Sequence, residues 1–317
     1  MDKLVIKGGK KLSGTVSVCG AKNAVLPLMA ATLLTDGTHQ FKNVPHLRDV
    51  QTMQKLLRTF GLQSQLENNN LTVVTKNFRS NEAPYDLVKT MRASVLVLGP
   101  LLARFGRAKV ALPGGCAIGA RPINLHLQAL EQLGAQIEIH EGYVEARCSK
   151  LKGNRIFFET VTVTGTENLM MAACLADGKT ILKNAAREPE VVDLANYLCQ
   201  MGANIQGAGT DTITIEGGHP LQPTEHTVIA DRIEAATYLM AGAITGGSVT
   251  TVGCPAHLLE TPLNYLKKCG CQISSVDHTI SLTAPEQLLP TDMVTAPFPG
   301  FITDLQAQFM ALMTLAK

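Results

Sequence analysis

Leu133-Gly134-Ala135-Gln136-Ile137 ends one apolar helical run and starts a short strand-like one. It returns as Met201-Gly202-Ala203-Asn204-Ile205 and as Cys269-Gly270-Cys271-Gln272-Ile273, with a shorter copy at Phe60-Gly61-Leu62. The copies lie about 70 residues apart, the kind of period that marks a chain built by stacking one unit. A glycine after a helical run is the residue that closes a helix in the left-handed conformation. Working outward, a second glycine precedes each copy, at Gly37, Gly106, Gly178 and Gly247.

Each unit then predicts helix, strand, helix, strand, strand. The first helix is apolar, as in Ala24-Val25-Leu26-Pro27-Leu28-Met29-Ala30-Ala31. The second is amphipathic, as in Val191-Val192-Asp193-Leu194-Ala195-Asn196-Tyr197-Leu198, with apolar residues at helical spacing. Pieces such as Thr212-Ile213-Thr214-Ile215 alternate as strands do. Alternation of helix and strand predicts an α/β protein. At 317 residues, two domains are the default. A fifth unit begins near Val294 and reaches one helix, Asp304–Leu315, before Lys317. The expectation is that the chain stops inside a unit and that, alone, it is weakly active or inactive.

Composition narrows the function. Net charge is +2, from 28 basic and 26 acidic residues. A nucleic-acid partner needs a clustered excess of Lys and Arg, so none is expected. Tryptophan is absent and aromatics make up 4%, which leaves little for base stacking. The start, Met1-Asp2-Lys3-Leu4-Val5-Ile6, lacks a signal peptide's apolar core, and no apolar run is long enough to span a membrane. The eight cysteines are scattered and several sit in apolar runs, which reads as core filling rather than a disulfide framework. Cys269-Gly270-Cys271 lacks the second ligand pair that zinc would want, so no metal is expected.

The second unit carries about four extra residues between its two glycines. They fall in Leu112-Pro113-Gly114-Gly115-Cys116-Ala117-Ile118-Gly119-Ala120-Arg121-Pro122. The glycines let this loop bend close to a ligand. A thiol beside fixed positive charge ionises readily, and Arg121 offers a fork of donors suited to phosphate or carboxylate. An arbitrary cysteine is more often buried filler; the insertion and Arg121 favour a reactive Cys116. Matching helix starts recur at Gly20-Ala21-Lys22-Asn23, Met91-Arg92-Ala93-Ser94, Gly165-Thr166-Glu167-Asn168, Asp231-Arg232-Ile233-Glu234 and Thr303-Asp304-Leu305-Gln306. Lys22 at such a start favours an anion, with a plain solvated lysine as the alternative. Asp304 reads equally as an acid or an N-cap. Arg187-Glu188-Pro189-Glu190 reads as a turn with Glu at a helix start.

Together, Lys11-Leu12-Ser13-Gly14, Gly20-Ala21-Lys22-Asn23, Met91-Arg92-Ala93-Ser94, residues 113–127, Asn184-Ala185-Ala186-Arg187-Glu188-Pro189-Glu190, Asp231-Arg232-Ile233-Glu234 and Thr303-Asp304-Leu305-Gln306-Ala307-Gln308 resemble the UDP-N-acetylglucosamine 1-carboxyvinyltransferase (UDP-GlcNAc enolpyruvyl transferase) family. The resemblance runs the whole chain in order. It implies two inside-out α/β barrel domains of repeated units, one over 22–229 and one over 1–21 plus 230–317, the last units missing, with the active site in the cleft between them. It implies a cytoplasmic enzyme that moves the enolpyruvyl group of phosphoenolpyruvate onto the 3′-hydroxyl of UDP-N-acetylglucosamine, the first committed step of peptidoglycan synthesis. These two small molecules are the implied partners, and no cofactor is required.

The same resemblance assigns roles. Cys116 is the acid-side residue, able to form an adduct with phosphoenolpyruvate and with fosfomycin. Asp304 takes the proton of the sugar hydroxyl. Lys22 and Arg121 hold phosphoenolpyruvate, Lys22 counting with the catalytic residues, and Asn23 positions both reactants. Arg92, Arg121, Pro122, Ile123, Asn124 and Leu125 bind the sugar nucleotide, with Val163, Thr164, Gly165, Asn23 and Asp304 contributing. The chain departs from the family's pattern at Asn124, where an acid is common, at Val161, where some members carry lysine, and at Thr164, where a smaller apolar residue occurs. The alternatives are the shikimate-pathway enolpyruvyl transferase, which lacks the Cys116 loop, and a non-catalytic sugar-nucleotide-binding remnant.

Overall fold

The repeat is written into four sheets of identical wiring. The computed structural model describes residues 3–112 and 123–317. Each sheet has four strands. In the second unit the order is Glu82–Ala83, Arg107–Ala111, Tyr143–Arg147, Gln136–His140. The first pair is parallel and the others are antiparallel. The third unit repeats this with Arg155–Phe157, Lys179–Lys183, Thr212–Glu216 and Asn204–Gln206. The hairpin and the strand beside it match the predicted helix, strand, helix, strand, strand. The leading parallel strand is an addition. Parallel strands need a crossover, and in the second and third units the apolar opening helix supplies it.

The first and fourth units exchange their leading strands. Ser13–Ser17 comes before the first unit in sequence, yet it pairs with Ser248–Val252 of the fourth. Glu225–Thr227 comes before the fourth unit and pairs with Thr38–Lys42 of the first. The chain accordingly divides into two compact units, Gly20–Ile229 and Met1–Cys19 with Ala230–Lys317. Each has its own apolar core.

Local sequence explains the elements. The opening helix Lys22–Ala31 buries every residue from Ala24 to Ala31. A helix that is apolar all round belongs inside. The second helix, Arg48–Thr59, buries Val50, Met53, Leu56 and Leu57 along one stripe and keeps its charges outside. It ends at Gly61 (φ +94°), where Gly61 N–H donates to Arg58 O and Leu62 N–H to Leu57 O. The same two bonds close the helices before Gly134, Gly202 and Gly270. This is the Schellman arrangement, which satisfies carbonyls the helix leaves unpaired. The residue four before each glycine is a fully buried leucine: Leu57, Leu130, Leu198 and Leu266.

The upstream glycines behave less uniformly. Gly106 and Gly178 have positive φ, whereas in the fourth unit the left-handed residue is Gly246. Gly247 instead makes room, since a Cβ there would lie 1.9 Å from Leu12 O. In the fifth unit a short turn, Thr303–Leu305, runs into the helix Gln306–Met313, and Phe301, Phe309 and Tyr265 meet edge to face.

Candidate active site

Within the unit Gly20–Ile229, the opening helix Lys22–Ala31 packs against the turn Arg92–Val97, the helix Val163–Leu175 and both neighbouring second helices. Lys22 is the first residue of its helix, where unpaired N–H groups favour negative charge. Its Nζ stands 3.3 Å from Asp49 Oδ2, and both side chains remain partly in water. Asn23 beside it is exposed. Asp49, in the first turn of Arg48–Thr59, was not singled out in the sequence; an acid at a helix start carries no mark of the lysine it will meet.

Arg92 begins the turn Arg92–Val97 and is half-buried. Ile123 is buried; Asn124 is exposed at the start of the helix Asn124–Gln132; Leu125 is half-buried. A groove of about 510 Å³ opens beside Leu125, lined also by Gln128, Gln132, Ile156 and Phe157. Val163, Thr164 and Gly165 form the first turn of Val163–Leu175, whose N-cap Thr162 accepts from the Gly165 N–H. His126 joins these two helix starts. Its Nε2 lies 3.3 Å from Thr164 Oγ1 and its Nδ1 3.1 Å from Asn168 Nδ2. Burial, and next the Arg92 charge, lower the His126 pKa to about 4, so the ring is neutral. Thus two residues expected to hold the sugar nucleotide act on one buried imidazole, Thr164 by a hydrogen bond and Arg92 by its charge, while Asn124 and Leu125 precede it in the same helix. A lone histidine in an amphipathic helix gives no sequence signal of that.

Behind this turn sits a carboxyl cluster. Glu167 is fully buried, and burial followed by Glu190 and Glu188 raises its pKa well above the usual range. Glu190 does sit in the first turn of Pro189–Gln200, as the sequence suggests, but it and Glu188 are buried rather than displayed. Among the described residues no group of three His, Cys, Asp or Glu could hold a metal ion.

Asp304 belongs to the other unit, exposed in the turn Thr303–Leu305. That unit's helix Arg232–Ile244 is capped by Asp231, whose Oδ1 accepts from Ile233 N–H (2.9 Å) and Glu234 N–H (3.0 Å). Cys116, Arg121 and Pro122 lie outside the described residues. Their loop is bracketed by the strand ending at Ala111 and the helix starting at Asn124, the strand-to-helix step where the sequence puts the insertion.

The comparisons with known proteins give the family. The family model described as EPSP synthase (3-phosphoshikimate 1-carboxyvinyltransferase) matches residues 6–317. Among solved structures, the enolpyruvyl transferase NikO from Streptomyces tendae superposes with a TM-score of 0.87 at 22% identity, over 98% of this chain and 74% of that one. An EPSP synthase from Acinetobacter baumannii gives 0.71 at 19%, over 90% and 68%. The family model sets the class, the carboxyvinyl transferases, and the solved structures share its fold. Within it, UDP-N-acetylglucosamine 1-carboxyvinyltransferases from Magnetococcus marinus and Geobacter metallireducens are 54% and 55% identical over all of this chain and 76% of theirs. The chain belongs to the UDP-N-acetylglucosamine 1-carboxyvinyltransferase family.

Proposed function

We propose that the protein transfers the enolpyruvyl group of phosphoenolpyruvate to the 3′-hydroxyl of UDP-N-acetylglucosamine and releases phosphate, in peptidoglycan synthesis. One observation carries this: identity of 52–55% to curated members along the full chain. The shikimate-pathway reading draws on the broader family model over residues 6–317 and on structures 19% identical, which speak for fold, whereas the relatives at 52–55% identity carry the sugar-nucleotide name.

The reaction explains the residue types. A proton adds to the methylene carbon of phosphoenolpyruvate while the sugar oxygen bonds to its neighbour and loses its own proton. Phosphate then leaves as the new methyl group gives up a proton, which restores the methylene. This asks for an acid, a base and cations around the phosphate. Cys116 takes the acid side and Asp304 the base. Lys22 and Arg121 hold phosphoenolpyruvate, and Asn23 orients the reactants. Lys22 suits this, being half-exposed at a helix start. Arg92, Arg121, Pro122, Ile123, Asn124, Leu125, Val163, Thr164 and Gly165 take the sugar nucleotide, with Asn23 and Asp304 at its reacting end. The domain reading assigns 22–229 to one domain and 1–21 plus 230–317 to the other, and the two compact units support it. Both substrates are small, charged metabolites of the cytoplasm, where we place the reaction.

The test is phosphate release from phosphoenolpyruvate. Release should require UDP-N-acetylglucosamine and fall about 10²–10⁴-fold in Cys116→Ala. Release supported by shikimate 3-phosphate instead would overturn the assignment.

A further inference from the structure

The amide of Asn168 is oriented by two backbone groups. Its Oδ1 accepts from the Gly99 N–H at 2.7 Å, and its Nδ2 donates to the Val95 carbonyl at 3.1 Å. An N–H can only donate and a carbonyl can only accept, so the two anchors independently give the same orientation. The approach is possible because residue 99 is glycine; a Cβ there would sit 2.3 Å from Asn168 Oδ1. The second Nδ2 hydrogen faces His126 Nδ1 at 3.1 Å, which must therefore accept.

A neutral imidazole that accepts at Nδ1 carries its hydrogen on Nε2. Nε2–H then donates to Thr164 Oγ1 at 3.3 Å. With one lone pair so occupied, the hydroxyl's own hydrogen is directed elsewhere, and it meets no acceptor among the described residues. Thr164 is half-buried in the first turn of Val163–Leu175. The N-cap Thr162 takes the Gly165 N–H, so those of Val163 and Thr164 stand ahead of it at the positive end of the helix, without intrahelical partners.

We propose that His126 is a positioning residue: held by Asn168 as the Nε2–H tautomer, it turns the Thr164 hydroxyl into a donor aimed at an anionic oxygen of the sugar-nucleotide substrate. This rests on the sugar-nucleotide reading above. It makes the start of Val163–Leu175 a three-donor cradle, two N–H groups and one hydroxyl, of the kind that suits a diphosphate. A charged imidazole would turn a second N–H against the Asn168 amide, so the relay works with the neutral ring that burial maintains.

A double-mutant cycle on UDP-N-acetylglucosamine affinity, measured by titration calorimetry on the full chain, tests it. Thr164→Val should weaken binding about tenfold, the scale of one hydrogen bond to a charged group, while Thr164→Ser stays within about twofold. His126→Asn keeps an acceptor toward Asn168 but withdraws the donor from Thr164, and should weaken binding to a similar degree. His126→Gln, whose amide nitrogen reaches the Nε2 position, should recover most of the loss. Added to Thr164→Val, His126→Asn should have no further effect. A merely structural histidine would give additive losses, which overturns the relay, as would parental affinity in Thr164→Val. That isosteric variant at a half-buried site decides the matter even if the His126 variants do not fold. A parent protein that fails to bind UDP-N-acetylglucosamine overturns the underlying reading and the relay with it; a parent that binds with an indifferent Thr164→Val overturns the relay alone.

Discussion

Gly61 and Gly134 close their helices with the same pair of hydrogen bonds, at φ +94° and +96°, but in different surroundings. Nothing lies within 4 Å of a Cβ built on Gly134, whereas one on Gly61 would meet Asn77 O at 2.1 Å. Gly134→Ala should therefore cost only the left-handed penalty, about 1–2 kcal/mol. Gly61→Ala should cost clearly more, because backbone must move as well; urea midpoints of the two variants side by side check the order. Glu167 offers a second contrast. One of its oxygens has no partner, and its neighbours are carboxyls, so it is held protonated. Its folded pKa is raised, so it binds a proton that the unfolded chain has lost, and stability drains away as pH rises above the ordinary carboxylate range. Glu167→Gln should remove that drain, and its melting-temperature advantage over the parent should widen between pH 5 and pH 8. At this scale the glycine motif was fully legible, because a Schellman closure is a matter of six neighbouring residues. The role of His126 was not, because its tautomer is set by Asn168, which no local pattern links to it.

At the scale of elements, the opening helices matter more for their ends than for their apolar bodies. Val163–Leu175 begins with Thr162 as side-chain cap, and Arg232–Ile244 with Asp231. Lys22–Ala31 has no side-chain cap, and its first residue is a lysine. A side-chain cap takes up only the N–H it accepts, as Thr162 does with Gly165, whereas Lys22–Ala31 spends none on a side-chain cap. Thr162→Val should lower stability by about 1 kcal/mol, read from the urea midpoint, since it leaves the Gly165 N–H without its acceptor. Helices and hairpins were readable from periodicity. The leading strands were not: Glu82–Ala83 and Arg155–Phe157 are too short to show alternation, and for Ser13–Ser17 the partner is a remote strand. The loop carrying Cys116 was legible by its glycines and its insertion, a signal that needs no partner elsewhere in the chain.

For the whole molecule, buried titratable groups predict a bounded window of stability. His39 and His126 are each lowered to about 4, chiefly by burial. The unfolded chain protonates such rings near 6.5, so as pH falls from 6.5 toward 4 it binds protons the folded protein refuses, and stability drops. The loss should reach about 2 kcal/mol per ring by pH 5. Glu167 acts in the opposite sense over the same range, so the fall should be steepest in Glu167→Gln. On the alkaline side, burial raises Cys254 to about 12 and Cys271 to about 11, and pushes Tyr197 up as well. Stability should decline as pH climbs past 9, where the unfolded thiols ionise and the folded ones do not; urea midpoints at pH 5, 7, 9 and 10.5 measure both arms.

The exchange of leading strands also sets an order of events during synthesis. The strand Ser13–Ser17 leaves the ribosome early, but its partner Ser248–Val252 is made roughly 230 residues later, a delay of about 10–50 s at bacterial translation rates of ~5–20 residues per second. Over the same interval the other unit receives everything it needs, its last strand being Glu225–Thr227. One half of the protein can thus mature on the ribosome while the first strand made waits as an unpaired edge, the state of a nascent chain most exposed to wrong pairing and most in need of a chaperone.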